Sequence, residues 1–338
     1  MSASESKIAA FLEQAGWPGA ERSLLAADAS FRRYDRVLRG RDRAVLMDAP
    51  PDREKPEAFL RVAGMLHALG LSAPGILYAA PQEGLILLED LGDRTFTRAL
   101  AEGMEEARLY SLATDCLIAL HRGWKPEQAE GSELPPYDEA MQLGELGLFL
   151  DWYLPAVRGR PATQEEAAGF KQAWREALEP TRALPPTLVL RDYHVDNLMV
   201  LEGREGIAAC GLLDFQDAAL GCPAYDLASL LKDDRRDISP EFRETMLARY
   251  LAAFPERDPQ ALRRAVTLLA AQRHTKNIGI FSRLYRRDGK PGYLRHIPRL
   301  WRYLEEAFAE PALAPVRAWF DRAVLPEARR APDSGEAA

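Results

Sequence analysis

Asp192, Asn197 and Asp214 are the three residues whose types and spacing best indicate chemistry. Asn197 follows Asp192 by five residues, and Asp214 ends a later apolar run. Phosphoryl transfer from ATP uses such a set, because one carboxylate orients or deprotonates the attacking hydroxyl while an amide and a second carboxylate hold Mg²⁺ against the phosphates. The spacing therefore predicts Asp192 as the catalytic group and Asn197 with Asp214 as the metal ligands.

A second register of the same stretch competes with this one. His194 and Asp196 reproduce the His-x-Asp pattern of kinase catalytic loops, which would make Asp196 the base. Leu201 stands five residues after Asp196, however, and its side chain cannot bind a metal ion. Asn197 stands at the same distance from Asp192 and can bind one, so the pattern favours Asp192.

A β-hairpin is the element that would position these groups. Residues 198–201 and 208–213 are short apolar runs, and the segment between them is charged and carries two glycines, as hairpin loops do. In an antiparallel hairpin the start of the first strand lies beside the end of the second. We therefore expect Asn197 and Asp214 to meet at the open end, with Asp192 on the loop leading in.

The composition of the chain excludes several classes of protein. The 338 residues are 47% apolar and 28% charged, an ordinary globular composition with length enough for two lobes. The net charge of −7 argues against nucleic-acid and anionic-membrane partners. No apolar run is long enough to span a bilayer, the N-terminus lacks the features of a secretory signal, and the cysteines are three scattered thiols. We expect a cytoplasmic protein with a small-molecule partner, and a monomer by default.

The order of the expected elements indicates an α+β protein with two lobes. A small antiparallel sheet with a helix occupies residues 1–91, the N-lobe, and a larger and mainly helical C-lobe follows over residues 92–328. The cleft between two lobes is the usual place for an active site. The polar residues 329–338 are expected to form a disordered tail. In the N-lobe we predict helices over residues 5–16 and 57–69, and strands over 31–38, 43–47, 76–80 and 85–88.

These motifs resemble the aminoglycoside phosphotransferase-like kinases, a branch of the protein-kinase-like fold. Asp192, Asn197 and Asp214 match the base and metal ligands of that family, and residues 221–229 match its Gly-x-Pro-x-x-Asp-Leu-Ala segment. The resemblance implies a two-lobed kinase-like fold with ATP and Mg²⁺. It also implies that Asp226, the acidic residue of that segment, braces the catalytic loop.

A narrower resemblance covers most of the chain. Six segments in register are similar to the anomeric N-acetylmuramate/N-acetylglucosamine kinases of bacterial cell-wall recycling: residues 28–34, 47–51, 87–92, 190–194, 213–218 and 272–279. The resemblance implies phosphorylation of an amino sugar at its C1 hydroxyl, as a step of peptidoglycan recycling.

The nucleotide site departs from the kinase pattern. The strand expected near residues 44–48 has no lysine for the phosphates, and the preceding loop, with Ser30 and Phe31, has no glycines. Arg32 or Arg33 would supply the missing cation, since guanidinium groups suit bidentate phosphate contacts. A solvated strand position is the alternative for one of them, because neighbours on a strand face opposite sides. Residues 88–91, which include Glu89 and Leu91, form the expected hinge, whose backbone would bind adenine.

The sugar site is predicted from aromatic and polar groups on two segments. Tyr137, Glu145 and Trp152 lie on a segment before the catalytic loop that is expected to be helical, and His194 lies on the loop. Phe149 falls at helical spacing with Glu145 and Trp152, and core packing is the alternative for Phe149 and Trp152. Arg273 and Lys276 are three residues apart on a long helical segment. They would form a basic face toward the lactyl carboxylate of N-acetylmuramate, or else a solvated cationic face.

Two other functions stay open at this point. The first is the same chemistry on another hydroxyl substrate, such as an aminoglycoside or a choline-like alcohol. The second is a non-catalytic pseudokinase, which the missing strand lysine favours and the intact Asp192, Asn197 and Asp214 set opposes.

Overall fold

The computed structural model describes residues 3–27 and 31–333, and the chain forms two compact units. Unit 1 comprises Met1–Gly123 with Val195–Ala218, and unit 2 comprises Trp124–His194 with Ala219–Ala338. These units are defined by which residues pack together, and not by function. The predicted boundary between an N-lobe and a C-lobe at residue 91 therefore stays a prediction. In the described part of the chain no helix is both long enough and apolar enough to cross a bilayer.

Unit 1 contains a five-stranded antiparallel sheet in the order β1-β2-β3-β5-β4. The strands are β1 (Glu21–Ala27), β2 (Arg33–Arg39), β3 (Asp42–Asp48), β4 (Ile76–Ala80) and β5 (Leu85–Glu89). The predicted antiparallel sheet with a helix is confirmed, but the sequence analysis did not predict β1. Four helices belong to the same unit: α1 (Ala3–Gln14), α2 (Pro56–Ala68), α3 (Phe96–Ala101) and α4 (Glu106–Gly123).

One apolar cluster joins α1 to the sheet. Phe11 and Leu12 of α1 are buried against Val37, Leu46 and Leu87 on three neighbouring strands. Removing this surface from water stabilises the unit by about 25 cal/mol per Å² of apolar area. The cluster therefore holds α1 against the sheet that precedes the predicted hinge.

The predicted hairpin is present in unit 1. Strands β7 (Leu198–Val200) and β8 (Cys210–Leu212) pair antiparallel, with Leu198 opposite Leu212. The loop between them contains one turn of 3-10 helix at Gly206–Ala209. The two apolar runs and the charged, glycine-containing segment between them were sufficient to predict this element.

Unit 2 is mainly helical and is organised around one long helix. Helix α10 (Pro259–Asp288) has 30 residues and contacts most of the other helices of the unit. Two short strands, β6 (Thr187–Val189) and β9 (Ala219–Gly221), pair antiparallel, and neither was predicted from the sequence. The other helices are α5 (Glu139–Leu148), α6 (Leu154–Arg158), α7 (Gln164–Leu178), α8 (Ala224–Leu231), α9 (Pro240–Ala252), α11 (Ile297–Ala307) and α12 (Ala314–Ala323).

Helix α5 approaches α10 very closely at Gly279. A Cβ atom at Gly279 would lie 2.4 Å from the carbonyl carbon of Leu148 and 2.5 Å from the backbone nitrogen of Phe149. The contacted backbone is the junction between α5 and a π-helical turn at Phe149–Tyr153. Only glycine permits this approach, which brings the side chains of α5 against those of α10.

Phe149 belongs to an aromatic core rather than to a binding face. Its ring lies 5.3 Å from the ring of Phe320 and 6.1 Å from that of Trp301. The hydroxyl of Tyr153 accepts a hydrogen bond from Trp301 Nε1 at 3.0 Å and lies 2.8 Å from the carbonyl oxygens of two residues near the C-terminus, Ala328 and Arg330. The core-packing alternative is correct for Phe149.

The predicted disordered tail does not begin at Arg329. The side chain of Arg329 is only 6% exposed and forms ion pairs with Glu305 and Asp321. Residues 329–333 therefore belong to the described structure. Residues 334–338 lie outside the described part of the chain.

Candidate active site

The two predicted metal ligands flank the open end of the hairpin in unit 1. The N–H of Leu213 donates to the carbonyl oxygen of Asn197 at 2.9 Å, which continues the strand pairing to Leu213, the residue before Asp214. Asp214 has a φ of +56°, a conformation that Asp adopts more readily than most residues. Its side chain is 41% exposed. The amide and carboxylate oxygens of this pair suit Mg²⁺, which prefers oxygen ligands and keeps several waters.

Arg32 and Arg33 have different surroundings. Arg32 donates to Asp214 Oδ1 at 3.1 Å and lies 3.6 Å from Glu54. Burial alone would lower the pKa of Arg32, but Tyr34 and the two carboxylates raise it, so the guanidinium stays charged. Arg33 pairs with Asp35 at 2.9 Å and its side chain is 55% exposed. Of these two arginines, Arg32 is thus the one that contacts the predicted metal ligand Asp214.

The rest of the predicted nucleotide loop is only partly described. Ser30 lies outside the described residues. Phe31 is exposed, its backbone N–H donates to Glu54 Oε1 at 3.0 Å, and the guanidinium of Arg53 lies 4.6 Å from the centre of its ring. The nucleotide contacts predicted for Ser30 and Phe31 stay predictions.

The side chains of the predicted hinge are engaged within unit 1. Arg36 on β2 holds Asp90 through two hydrogen bonds of 2.8 and 3.2 Å, and reaches Asp93 at 2.9 Å. Glu89 forms an ion pair with Arg204. Leu91 packs beside Gly211 of β8, where a Cβ atom would lie 3.0 Å from Leu91 Cδ1. Hinge side chains therefore serve the fold, and adenine binding through the backbone stays a prediction.

In unit 2, Asp192 lies on a short loop that begins where β6 ends, here called the Asp192 loop (residues 190–194). Buried Asp226, on α8, accepts hydrogen bonds from the backbone N–H groups of Leu190 at 2.7 Å and Arg191 at 2.9 Å. Burial raises the pKa of Asp226 to about 6, even though these two bonds favour the ionised form. Asp226 is thus in contact with the loop that it was predicted to brace, and the role itself stays a prediction.

Asp192 is ionised by its surroundings. Arg273 of α10 donates to Asp192 Oδ1 at 3.3 Å and to the carbonyl oxygen of Arg191 at 3.0 Å. Burial alone would raise the pKa of Asp192, but Arg273 and then Lys276 outweigh it and hold that pKa well below the usual carboxyl range. The side chain keeps 34% of its surface exposed, so the charged carboxylate is accessible from solvent.

Glu145 is the centre of a buried ionic cluster next to the loop. It accepts hydrogen bonds from Lys276 at 2.9 Å, Tyr137 at 2.5 Å and Gln272 at 3.2 Å, and it forms an ion pair with Arg191. Burial raises the pKa of Glu145, but Lys276 and Arg191 lower it by more. Glu145 is therefore charged and links α5, α10 and the Asp192 loop.

These contacts change the interpretation of the predicted sugar-binding residues. Arg273 and Lys276 are 2% and 6% exposed, so the solvated cationic face was wrong for both. Each already has a carboxylate partner, and a contact with a lactyl carboxylate stays a prediction. Tyr137 precedes α5 rather than lying on a helix, and is 4% exposed with its hydroxyl on Glu145. Trp152 is half-buried on the π-helical turn, and its sugar contact is likewise untested.

His194 lies in a second buried cluster of unit 2. It is 5% exposed, and burial followed by the charges of Arg235 and Arg273 lowers its pKa to about 3. The carboxylate of Asp234 also acts on it, and Asp234 accepts a hydrogen bond from Asn277 at 2.6 Å. Asp234 was not predicted from the sequence, although two consecutive acidic residues shortly after the apolar α8 were a usable signal.

The predicted convergence of the three catalytic groups stays a prediction. Asn197 and Asp214 belong to unit 1 and lie at one hairpin end, whereas Asp192 belongs to unit 2. The competing base, Asp196, belongs to unit 1, where the hydroxyl of Thr97 donates to its carboxylate. Both aspartates therefore have a side-chain partner, and the choice of Asp192 over Asp196 stays a prediction.

Comparison with known proteins identifies relatives over nearly the whole chain. A model described as the phosphotransferase enzyme family matches residues 21–263. The N-acetylmuramate/N-acetylglucosamine kinase of Caulobacter vibrioides is 40% identical, over 96% of this chain and 98% of that protein. The protein of the same name from Pseudomonas aeruginosa is 40% identical, over 88% of each chain. The ADP-bound structure of aminoglycoside phosphotransferase APH(2'')-Ib shares the fold, with a TM-score of 0.60 at 16% identity, over 91% of this chain and 99% of that one.

Proposed function

Because the chain belongs to the phosphotransferase enzyme family, we propose that it is an ATP- and Mg²⁺-dependent kinase of N-acetylmuramate and N-acetylglucosamine. The acceptor would be the anomeric hydroxyl, and the reaction would serve cytoplasmic peptidoglycan recycling. The observation that carries the proposal is the 40% identity with a kinase of that name over 96% of this chain. An ionised Asp192 with an accessible carboxylate supports it independently.

Unit 1 supplies the groups suited to a nucleotide. Asn197 and Asp214 would hold Mg²⁺, which neutralises phosphate charge and orients the phosphates when it is bound. Arg32 lies against Asp214 and carries a permanent charge, so it is our choice for the cation that replaces the absent strand lysine. Bidentate guanidinium contacts suit phosphate oxygens.

Unit 2 supplies the group suited to the acceptor. Asp192 would accept a hydrogen bond from the anomeric hydroxyl, orient its oxygen and take its proton as the new O–P bond forms and the bond to ADP breaks. A carboxylate with a low pKa is a weak base, which fits a loose transition state in which orientation matters more than early proton removal. The acidity of a hemiacetal hydroxyl, greater than that of a simple alcohol, reduces the need for a strong base further.

An ADP-release assay with a panel of acceptors tests the proposal. We expect turnover with N-acetylmuramate and N-acetylglucosamine, and phosphorus NMR of the product should show a phosphate on C1. Turnover only with an aminoglycoside or a choline-like alcohol would assign the same chemistry to another substrate. ADP release that no acceptor stimulates would support a pseudokinase and reject the proposal.

A further inference from the structure

The burial of the Arg273 side chain is not explained by the sugar-kinase proposal alone. Its side chain is 3% exposed, yet it is a cation on the middle of α10. It donates to both the carbonyl oxygen of Arg191 and the carboxylate of Asp192. A fully charged side chain is rarely buried unless it is paired and hydrogen-bonded, and here both of these partners belong to the Asp192 loop.

Arg191, whose carbonyl oxygen accepts a hydrogen bond from Arg273, has an unusual backbone conformation. Arg191 has a φ of +71°, in the left-handed region that non-glycine residues seldom adopt. Such a conformation persists only when the surroundings over-determine it. The backbone N–H of Arg191 is held by Asp226, its side chain by Glu145, and its carbonyl by Arg273. The direction in which the next side chain, Asp192, points follows from this peptide.

We propose that Arg273 is a positioning residue for Asp192. It fixes the left-handed turn at Arg191 and orients the carboxylate of Asp192 for the acceptor hydroxyl, without contacting the sugar. The inference rests on the proposed phosphotransferase function and deepens it, because it assigns the α10 cation to the catalytic loop.

The charges around Asp192 make Arg273 difficult to replace. The groups that face Asp192 are Arg273, Lys276, His194 and Arg191, with the carboxylate of Asp226 opposing them. Arg273 is the strongest of the cations in holding Asp192 ionised. The ammonium group of Lys276 already bonds Glu145, so it does not take over when Arg273 is removed.

The primary test compares Arg273→Gln with Arg286→Gln, the same substitution at an exposed position of the same helix. Displacement of a reacting group by about 1 Å can cost about 100-fold in rate, and we expect a loss of that order in kcat for Arg273→Gln. The KM for ATP should change less than twofold, and the acidic limb of the kcat/KM profile should move to higher pH. Arg286→Gln should leave all three unchanged. A normal kcat, or a lower kcat with an unmoved acidic limb, overturns the proposal.

A double variant shows whether Arg273 acts through Asp192. If it does, Arg273→Gln has little further effect on kcat in an Asp192→Asn background. Independent losses that multiply would assign Arg273 a different role. Should Arg273→Gln fail to fold, Arg273→Lys takes its place: the retained charge should keep the acidic limb low. The shorter lysine side chain cannot bring its donors to the position of Arg273 Nη1, which bonds both Arg191 and Asp192, so kcat should fall by about tenfold or more. Wild-type kcat in Arg273→Lys would reject the geometric role.

A readout that does not need activity separates this inference from the proposed function. Carbon NMR of aspartate-labelled protein follows the titration of the Asp192 carboxyl, identified by its absence in Asp192→Asn. We expect its pKa to lie well below the usual range in the wild type and to rise in Arg273→Gln. If no sugar supports turnover but this shift occurs, only the sugar-kinase proposal fails. If turnover occurs and the shift is absent, only the role of Arg273 fails.

Discussion

The two carboxylates assigned to phosphoryl transfer have different surroundings. Asp214 in unit 1 is 41% exposed and lies at a hairpin end, where it forms an ion pair with Arg32. Arg32 also forms an ion pair with Glu54. Asp192 in unit 2 is nearly as exposed as Asp214, at 34%, but its partner Arg273 is only 3% exposed and belongs to a network that extends over α8, α10 and α5. A metal ligand must accept a new partner at each turnover, whereas a group that orients a hydroxyl benefits from a fixed position. The chain thus supplies one adaptable carboxylate and one that is pre-organised.

The largest expected effect concerns the fixed carboxylate. Asp192→Asn keeps the shape of the side chain but removes its charge, so we expect kcat to fall by about 10²–10⁴-fold. Sugar phosphorylation by the purified variant is the measurement, with the melting temperature as the folding control. Near-normal turnover would move the catalytic role to another residue, with Asp196→Asn as the next variant.

Replacement of Asp214, the adaptable carboxylate, should instead change how the rate depends on Mg²⁺ concentration. We expect Asp214→Asn to lower kcat by about 100-fold, since metal-ion neutralisation contributes several kcal/mol. The Mg²⁺ concentration for half-maximal rate should also rise. A titration of Mg²⁺ at fixed ATP measures this, and Asp217→Asn, in the same turn, is the control. An unchanged Mg²⁺ requirement would show that Asp214 is not a metal ligand.

The close approach of α5 to α10 in unit 2 can be tested at Gly279. Gly279→Ala places a Cβ atom within 2.6 Å of three backbone atoms of Leu148 and Phe149. Overpacking against backbone should lower the free energy of unfolding by about 2 kcal/mol. Gly144→Ala on α5 is the matched control because its Cβ meets nothing within 4 Å, and it should stabilise by about 0.5–1 kcal/mol through helix propensity. Denaturant titrations with equal effects for both would contradict the close approach.

On the unit 1 side, Arg32 and Arg33 form a natural pair of variants. Arg32→Gln removes the cation at Asp214, and we expect a rise in the KM for ATP of about tenfold, equivalent to about 1.4 kcal/mol. Arg33→Gln removes an exposed cation paired with Asp35 and should raise it less. Initial rates at varied ATP are sufficient. Equal effects would leave the phosphate cation unassigned between the two.

The smallest effect is a pH dependence of stability in unit 2. Burial lowers the pKa of His274 to about 4, below its value in the unfolded chain. The unfolded state then binds more protons between these values, so stability rises with pH through this window and is lost as pH falls through it. The slope is at most about 1.4 kcal/mol per pH unit for one group. His274→Gln should flatten the profile of unfolding free energy between pH 4 and about 6.5, and His67→Gln, at an exposed site, should not.

Local sequence was sufficient to predict some of these features and insufficient for others. The hairpin with Asn197 and Asp214 depends on two apolar runs and one loop, all within a short stretch, so its geometry could be predicted. Strand β1 was missed because Glu21–Ala27 shows no apolar alternation; it is an edge strand with one paired neighbour.

The setting of Asp192 could not be predicted for a different reason. Its partner Arg273 is distant in sequence, and a cation at helical spacing looks the same whether it faces solvent or a buried carboxylate. The choice depends on the packing of α10 against the Asp192 loop, which brings Arg273 to Arg191 and Asp192. Contacts of this kind arise only when the helices have docked.

The hydroxyl of Tyr153 has a practical consequence for anyone preparing the protein. It sits beside the carbonyl oxygens of Ala328 and Arg330, and Arg329 is tied to Glu305 and Asp321. Proteolytic removal of the residues from Ala328 onward would expose the edge of the aromatic core. It would also leave the hydroxyl of Tyr153 without these two carbonyl acceptors, which should lower the free energy of unfolding by about 1–3 kcal/mol. Affinity tags and fusion partners should accordingly be attached beyond Asp333.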